Sequence, residues 1–172
     1  MRQYDEIKEQ YNNTIVLFRM GDFYETFNDD AVVTAKILGI VLTKRSNGAA
    51  AEVPLAGFPY HSIDNYLHKL VNAGHRVAIC EQVEDPKLAK GIVKREVIEV
   101  VTPGTITSDT ALNEKSNQFI GCIHFENEDT GYAILDQSTG ELFIGQCLTI
   151  DLTESLLKFA PRELLISSNI VY

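Results

Sequence analysis

Apolar positions along this chain recur at helical spacing in four places, with short β-rich runs between them. Tyr4, Ile7 and Tyr11 make a short helical stripe, and Thr14 to Met20 is a run long enough for a buried strand. Tyr24, Phe27, Ala31, Ala35 and Leu38 then fall on one helix face, with Gly39 as the stop signal. Ile40 to Thr43 reads as a strand, and Ser46 to Glu52 as a Gly/Ala-rich loop. Ile63, Tyr66, Leu67, Leu70 and Val71 define a second amphipathic helix ended by Gly74. Arg76 to Cys80 and Glu96 to Val101 are two further strands. Helices alternating with strands predict an α/β domain with a mixed sheet over residues 1–104.

Pro103-Gly104 punctuates the end of that unit, and the polar, weakly patterned residues 105–117 read as a linker. The pattern then changes. Phe119 to Phe125, Tyr132 to Leu135 and Leu142 to Ile144 are three short apolar runs joined by loops Glu126–Gly131 and Gln137–Gly140, a three-strand meander. A helix over Leu152–Phe159 and a strand over Glu163–Ile166 follow. This β-β-β-α-β order over residues 118–172 reads as a domain cut short.

Composition adds limits. No apolar run approaches the ~20 residues that span a bilayer, and the charged start is not a secretion signal. Cys80, Cys122 and Cys147 have no CxxC spacing and read as buried thiols in a reducing cytoplasm. The four histidines show no ligand spacing with them, so no metal site is predicted. The net charge of −9 argues against simple nucleic-acid binding. Its distribution softens the objection: residues 1–102 carry 12 Lys and Arg against 14 Asp and Glu, whereas residues 103–172 carry 3 against 10. Lys87, Lys90, Lys94 and Arg95 form a local basic cluster, either phosphate contacts or a solvated face.

Several stretches in series resemble the N-terminal domain of the bacterial MutS family. They are Phe18 to Glu25 (FRMGDFYE), Leu42 to Arg45 (LTKR), Pro54 to His61 (PLAGFPYH), Val77 to Gln82 (VAICEQ) and Val101 to Thr105 (VTPGT). Leu135-Asp136 with Ser138-Thr139-Gly140, and Pro161 to Leu165, resemble that family's connector domain. The resemblance implies a mixed-sheet mismatch-recognition domain followed by part of a ribonuclease H-like connector domain. It implies a non-catalytic reader of mispaired or unpaired bases, working with mismatched duplex DNA in the cytoplasm. ATP, Mg, homodimerisation and a MutL-type partner belong, by the same resemblance, to the full-length protein. The fragment itself is expected to be a monomer that binds DNA weakly. It holds no G-x-x-x-x-G-K-[ST] phosphate loop.

By resemblance, the mismatch reader is the Phe-x-Glu element, here Phe23 and Glu25. Met20 and Asp22 flank it, and Arg45 with the turn Ala56-Gly57-Phe58-Pro59 resembles regions that approach DNA. Leu55 and Phe58 depart from the Met and smaller aliphatic residue common among bacterial relatives. The residues by themselves allow a plainer reading. Asp22-Phe23-Tyr24-Glu25 has the spacing of a helix capping box, Asp22 as N-cap and Glu25 at N3. Phe23 would then be an apolar residue in a first helical turn, pointing away from the stripe that Tyr24 begins. Two other functions compete: an α/β protein-interaction domain, and a metal-dependent nuclease fragment around Asp136 and Glu141. Exposure of the Phe23 ring separates the first of these from mismatch reading.

Overall fold

The structure is a computed structural model that describes residues 1–47, 50–85, 88–89, 91–105 and 117–167. It divides into two compact units, Met1–Thr102 and Pro103–Tyr172. Of the basic cluster, Lys87 and Lys90 lie outside the described residues, as does 106–116 of the expected linker.

Unit 1 begins with helix α1 (Arg2–Gln10), strand β1 (Ile15–Met20) and strand β2 (Phe23–Phe27), followed by helix α2 (Asn28–Leu38). Strands β3 (Thr43–Asn47) and β4 (Ala50–Pro59), helix α3 (Ile63–Asn72), β5 (Val77–Gln82) and β6 (Arg95–Val101) complete it. The six strands form one sheet in the order β3-β4-β2-β1-β5-β6, antiparallel throughout except for the parallel β1–β5 pair. One face carries Val16, Phe18, Phe27, Ala78 and Cys80 against Tyr4 of α1. On the other, Ala56 packs against Ala31 and Ala35 of α2, and Phe58 stacks on Tyr66 of α3. Asp30 ties α1 and β1 to the start of α2. Its carboxylate accepts from Lys8 Nζ at 2.7 and 2.9 Å, from the Tyr4 hydroxyl at 3.1 Å and from the Val16 N–H at 3.1 Å.

The helix expected from Tyr24 starts four residues later, at Asn28. Gly21 adopts φ +59°, and Gly21-Asp22 closes a two-residue hairpin turn that sends the chain back alongside β1. Tyr24 and Thr26 are buried on one face of β2, a period of two rather than 3.6. The capping-box reading of Asp22 to Glu25 is therefore wrong. Gly39 does stop the helix, in the left-handed conformation at φ +67°.

Three further expectations fail in the neighbouring hairpin. Ile40 to Leu42 is not a strand, and Val41 is 81% exposed. Instead, Thr43–Asn47 and Ala50–Pro59 pair as β3 and β4, so the described residues of the expected loop are strand. The β3 side of this edge hairpin, Thr43–Asn47, is polar and joined to β4 by ladder hydrogen bonds, so hydropathy does not reveal it. Nor is Ala56 to Pro59 a turn: it is the end of β4, with Pro59 its last residue.

Unit 2 contains β7 (Phe119–Glu126), β8 (Asp129–Asp136), β9 (Leu142–Leu148), helix α4 (Leu152–Leu157) and β10 (Glu163–Ile166). Its sheet order is β10-β7-β8-β9, with β10 parallel to β7. The loop expected over Glu126–Gly131 shrinks to Asn127-Glu128, because Asn127 takes φ +57° and makes a tight turn. Leu156 of α4 covers Ile123 and Ile134. Both units are thus α/β with mixed sheets. Of the three thiols expected to be buried, only Cys80 is; Cys122 is exposed and Cys147 half-buried. Cys122 points to the face of its sheet opposite Ile123, away from α4.

Candidate nucleic-acid interface

The β1–β2 hairpin and its neighbour β4 position the candidate residues. Phe18 pairs with Glu25, Met20 with Phe23, Phe23 with Pro59, and Glu25 with Gly57. Directly paired residues point to the same side of a sheet, so Met20, Phe23, Glu25, Gly57 and Pro59 share one face. Phe23 is the first residue after the turn, and its side chain is 46% exposed. Asp22, in the turn, is exposed; Met20 is half-buried against the core cluster, and Pro59 is half-buried opposite Phe23.

Glu25 is half-buried, with its Oε2 3.3 Å from Arg45 Nη1. Burial pushes its carboxyl above the ordinary carboxylate range, while the charges of Arg45 and Arg95 pull it back. Arg45 is therefore engaged with Glu25 rather than being a free strand-end charge. With Arg45 half-exposed to solvent, the pair is worth at most ~1 kcal/mol.

Gly57 has a task the sequence did not suggest. A Cβ there would sit 2.9 Å from the Tyr24 carbonyl oxygen and 3.3 Å from Glu25 Cγ. The missing side chain makes room for Glu25 itself. Gly57→Ala should part β2 from β4 locally and displace the Glu25 carboxylate, at about 1–3 kcal/mol of stability. Denaturant melts combined with mismatched and matched duplex titrations check this. A variant as stable as the parent would remove the steric argument.

Phe58 does not belong with the others. Its ring is 2% exposed and packs between Tyr24 and Tyr66, on the face covered by α2 and α3. It alternates away from Gly57 and Pro59 along β4, so its side chain lies in the core. In the basic cluster, Lys94 pairs with Glu96 at 2.5 Å. Arg95 is half-buried over the Phe18 ring and donates to the carbonyls of Arg19 and Val93. Its guanidinium braces backbone instead of facing solvent.

Sequence reasoning missed a second layer behind the turn. Arg19 donates to the Gly21 carbonyl at 2.5 Å and lies 3.5 Å from the centre of the Tyr60 ring. It also pairs with Glu81 at 3.3 Å, and the Tyr24 hydroxyl donates to the same Glu81 carboxylate. Burial and that carboxylate push the Tyr24 hydroxyl well above its ordinary range. Gly-Asp between two β-rich runs is the signal that would have revealed this hairpin.

In unit 2, Asp136 is fully buried and its Oδ1 accepts from the N–H groups of Gln118 and Ser138 and from Ser138 Oγ. The Ser138 hydroxyl above all holds its carboxyl below the usual range. This is the geometry of a turn anchor at the end of β8. Glu141, the other acid of the nuclease reading, is exposed.

Unit 1 is a mixed-sheet domain that places an exposed aromatic and a half-buried carboxylate two residues apart on the same sheet face, next to a hairpin turn. The family model described as MutS domain I matches residues 1–110. The DNA mismatch repair protein MutS of Porphyromonas gingivalis is 53% identical over 167 residues, covering 96% of this chain and 19% of that protein. That of Flavobacterium johnsoniae is 52% identical over 169 residues, 98% of this chain and 20% of that protein. That of Chlorobium phaeovibrioides is 48% identical over 173 residues, again 98% and 20%. The chain belongs to the MutS family, and it spans about a fifth of the length of these curated relatives.

Proposed function

We propose that this chain reads mispaired or unpaired bases in duplex DNA, as the N-terminal recognition part of a mismatch repair protein. The observation that carries the reading is the exposed Phe23 ring, held at the end of a two-residue turn with Glu25 beside it on the same face. A mispaired step is poorly stacked, so opening it from the minor groove takes less energy than opening a matched one. Phe23 inserts there and stacks on the exposed base, kinking the duplex as minor-groove wedges do. Glu25 hydrogen-bonds a displaced base when one of the two carries a proton, and its raised carboxyl pKa favours that state. Against undisturbed DNA the ionised carboxylate is repelled by phosphates, which disfavours matched sites. Met20, Asp22, Arg45, Gly57 and Pro59 flank the groove contact.

Unit 2 is the start of a ribonuclease H-like connector domain on this reading, supported by three antiparallel strands followed by a helix and a strand parallel to the first. It couples domains and meets a MutL-type partner. The fragment catalyses nothing; ATP and Mg act in the remainder of a cytoplasmic, homodimeric protein.

Titrating matched and mismatched duplexes against a full-length MutS carrying this sequence tests the proposal. Glu25→Gln should tighten matched binding and shrink discrimination from that side. For the parent, matched affinity should rise as pH falls through the carboxylate range, beginning above the pH expected of an ordinary glutamate, because the raised pKa neutralises Glu25 early. Glu25→Gln should lack that component. Unchanged matched affinity in Glu25→Gln, at fixed salt, would refute the repulsive role.

A further inference from the structure

Phe23 is anchored on both sides while its ring stays free. On the upstream side, the turn offers two successive carbonyls, and both are taken. Arg19 Nε donates to Gly21 O at 2.5 Å, and the Tyr60 N–H donates to Asp22 O at 2.9 Å. The two donors are themselves joined, since the Arg19 guanidinium lies 3.5 Å from the centre of the Tyr60 ring. On the downstream side, Tyr24 is held through its hydroxyl to Glu81, which also pairs with Arg19 at 3.3 Å. Arg19 thus connects the turn before Phe23 to the residue that anchors Tyr24 after it.

We infer that Arg19 and Tyr60 form a clamp on the reader turn, with Arg19 a positioning residue for mismatch discrimination. The inference rests on the mismatch-reading role proposed for Phe23. A wedge that pries open a base step must not recoil into its own turn. Gly21 is in the left-handed conformation, φ +59°, and an unbraced glycine turn is free to swing. Bonding both turn carbonyls removes that freedom before DNA arrives, so less ordering is left to binding. Arginine suits the post and lysine does not. Its planar guanidinium lies over the tyrosine ring while separate nitrogens reach Gly21 and Glu81; a lysine offers one compact ammonium. The Tyr60 ring is exposed at 41%, which an aromatic with a purely core role would not be. It covers the arginine from outside.

The test uses a full-length MutS carrying this sequence with Arg19→Lys, Tyr60→Ala, Tyr60→Phe and Phe23→Ala. Each is titrated with a G·T-mismatched and a matched duplex at fixed salt, with 2-aminopurine beside the mispair to report unstacking. Arg19→Lys preserves charge, so a changed affinity cannot come from lost phosphate attraction. Arg19→Lys and Tyr60→Ala should each lower the mismatched-to-matched affinity ratio by roughly tenfold, with matched affinity unchanged and the fluorescence rise on binding reduced. Tyr60→Phe, which keeps ring and N–H, should match the parent. Tyr60 is a surface side chain, so its two variants decide the matter even if Arg19→Lys fails to fold. A Tyr60→Ala variant with parental discrimination and fluorescence overturns the clamp. So does a uniform fall in both affinities with a smaller salt slope, which would make these residues backbone contacts. If Phe23→Ala also keeps its discrimination, the mismatch-reading role itself fails; if Phe23→Ala loses it while the clamp variants do not, only the clamp fails.

Discussion

Phe23→Ala should abolish the preference for mismatched over matched duplex and leave the fold intact. Stacking of a base on an aromatic side chain contributes ~1–3 kcal/mol, about the same as the ~1–3 kcal/mol that separates a right from a wrong base pair at a typical protein–DNA site. Removing the ring therefore removes a term as large as the whole discrimination. Stability should change little, because the ring is 46% exposed and substitutions at such surface positions stay within about 0.5 kcal/mol. The turn that carries it is held by backbone and by Arg19, not by the phenyl ring. Duplex titrations beside denaturant melts give both numbers. A folded Phe23→Ala protein that still prefers mismatches would refute the wedge.

The largest loss of stability is expected from Asp30→Ala. The carboxylate is buried, and it receives Lys8, the Tyr4 hydroxyl and the Val16 N–H. Removing it takes the counter-ion from Lys8 and the acceptor from the Val16 N–H, leaving Lys8 only the Thr14 carbonyl and the Tyr4 hydroxyl only the Phe27 carbonyl. Breaking one side of a buried ion pair typically destabilises by ~3–5 kcal/mol, a large part of the ~5–15 kcal/mol that holds a domain folded. The Tyr4 hydroxyl registers the same environment: burial first, then the Asp30 charge, pushes its pKa far above the ordinary value. Asp30→Asn, which keeps the shape and one acceptor, should fall between parent and alanine. Chemical denaturation checks this, and a loss below about 1 kcal/mol would show that the network contributes little.

Much of the secondary structure was legible along the chain wherever burial imposes a period. Thr14 to Met20, Ile63 to Val71 and Arg76 to Cys80 bury a face or a whole run, and side-chain pattern records that. The stretch from Tyr24 to Pro59 was less legible for two reasons. Tyr24, Phe27 and Ala31 lie at helical spacing by coincidence across the junction of β2 and α2. The β3–β4 edge hairpin joins a polar strand to its neighbour through backbone ladders that side-chain periodicity does not display. Gly21-Asp22 is the local signal of the hairpin turn, and the capping-box spacing of Asp22 to Glu25 overlies it.

The sequence by itself determined the family, the α/β character of both units, the helix stop at Gly39 and the Phe-x-Glu element at Phe23 and Glu25. These are written in order along the chain, as motif blocks and as hydrophobic period. Only the tertiary structure decided which way those residues face. Strand register puts Phe23 and Glu25 beside Gly57 and Pro59, and turns Phe58 inward. It also brings Arg45 to Glu25 across 20 positions and Arg19 to Glu81 across 62. A pairing between distant strands depends on how the whole sheet closes around its core, and that information is held jointly by residues that no local window contains.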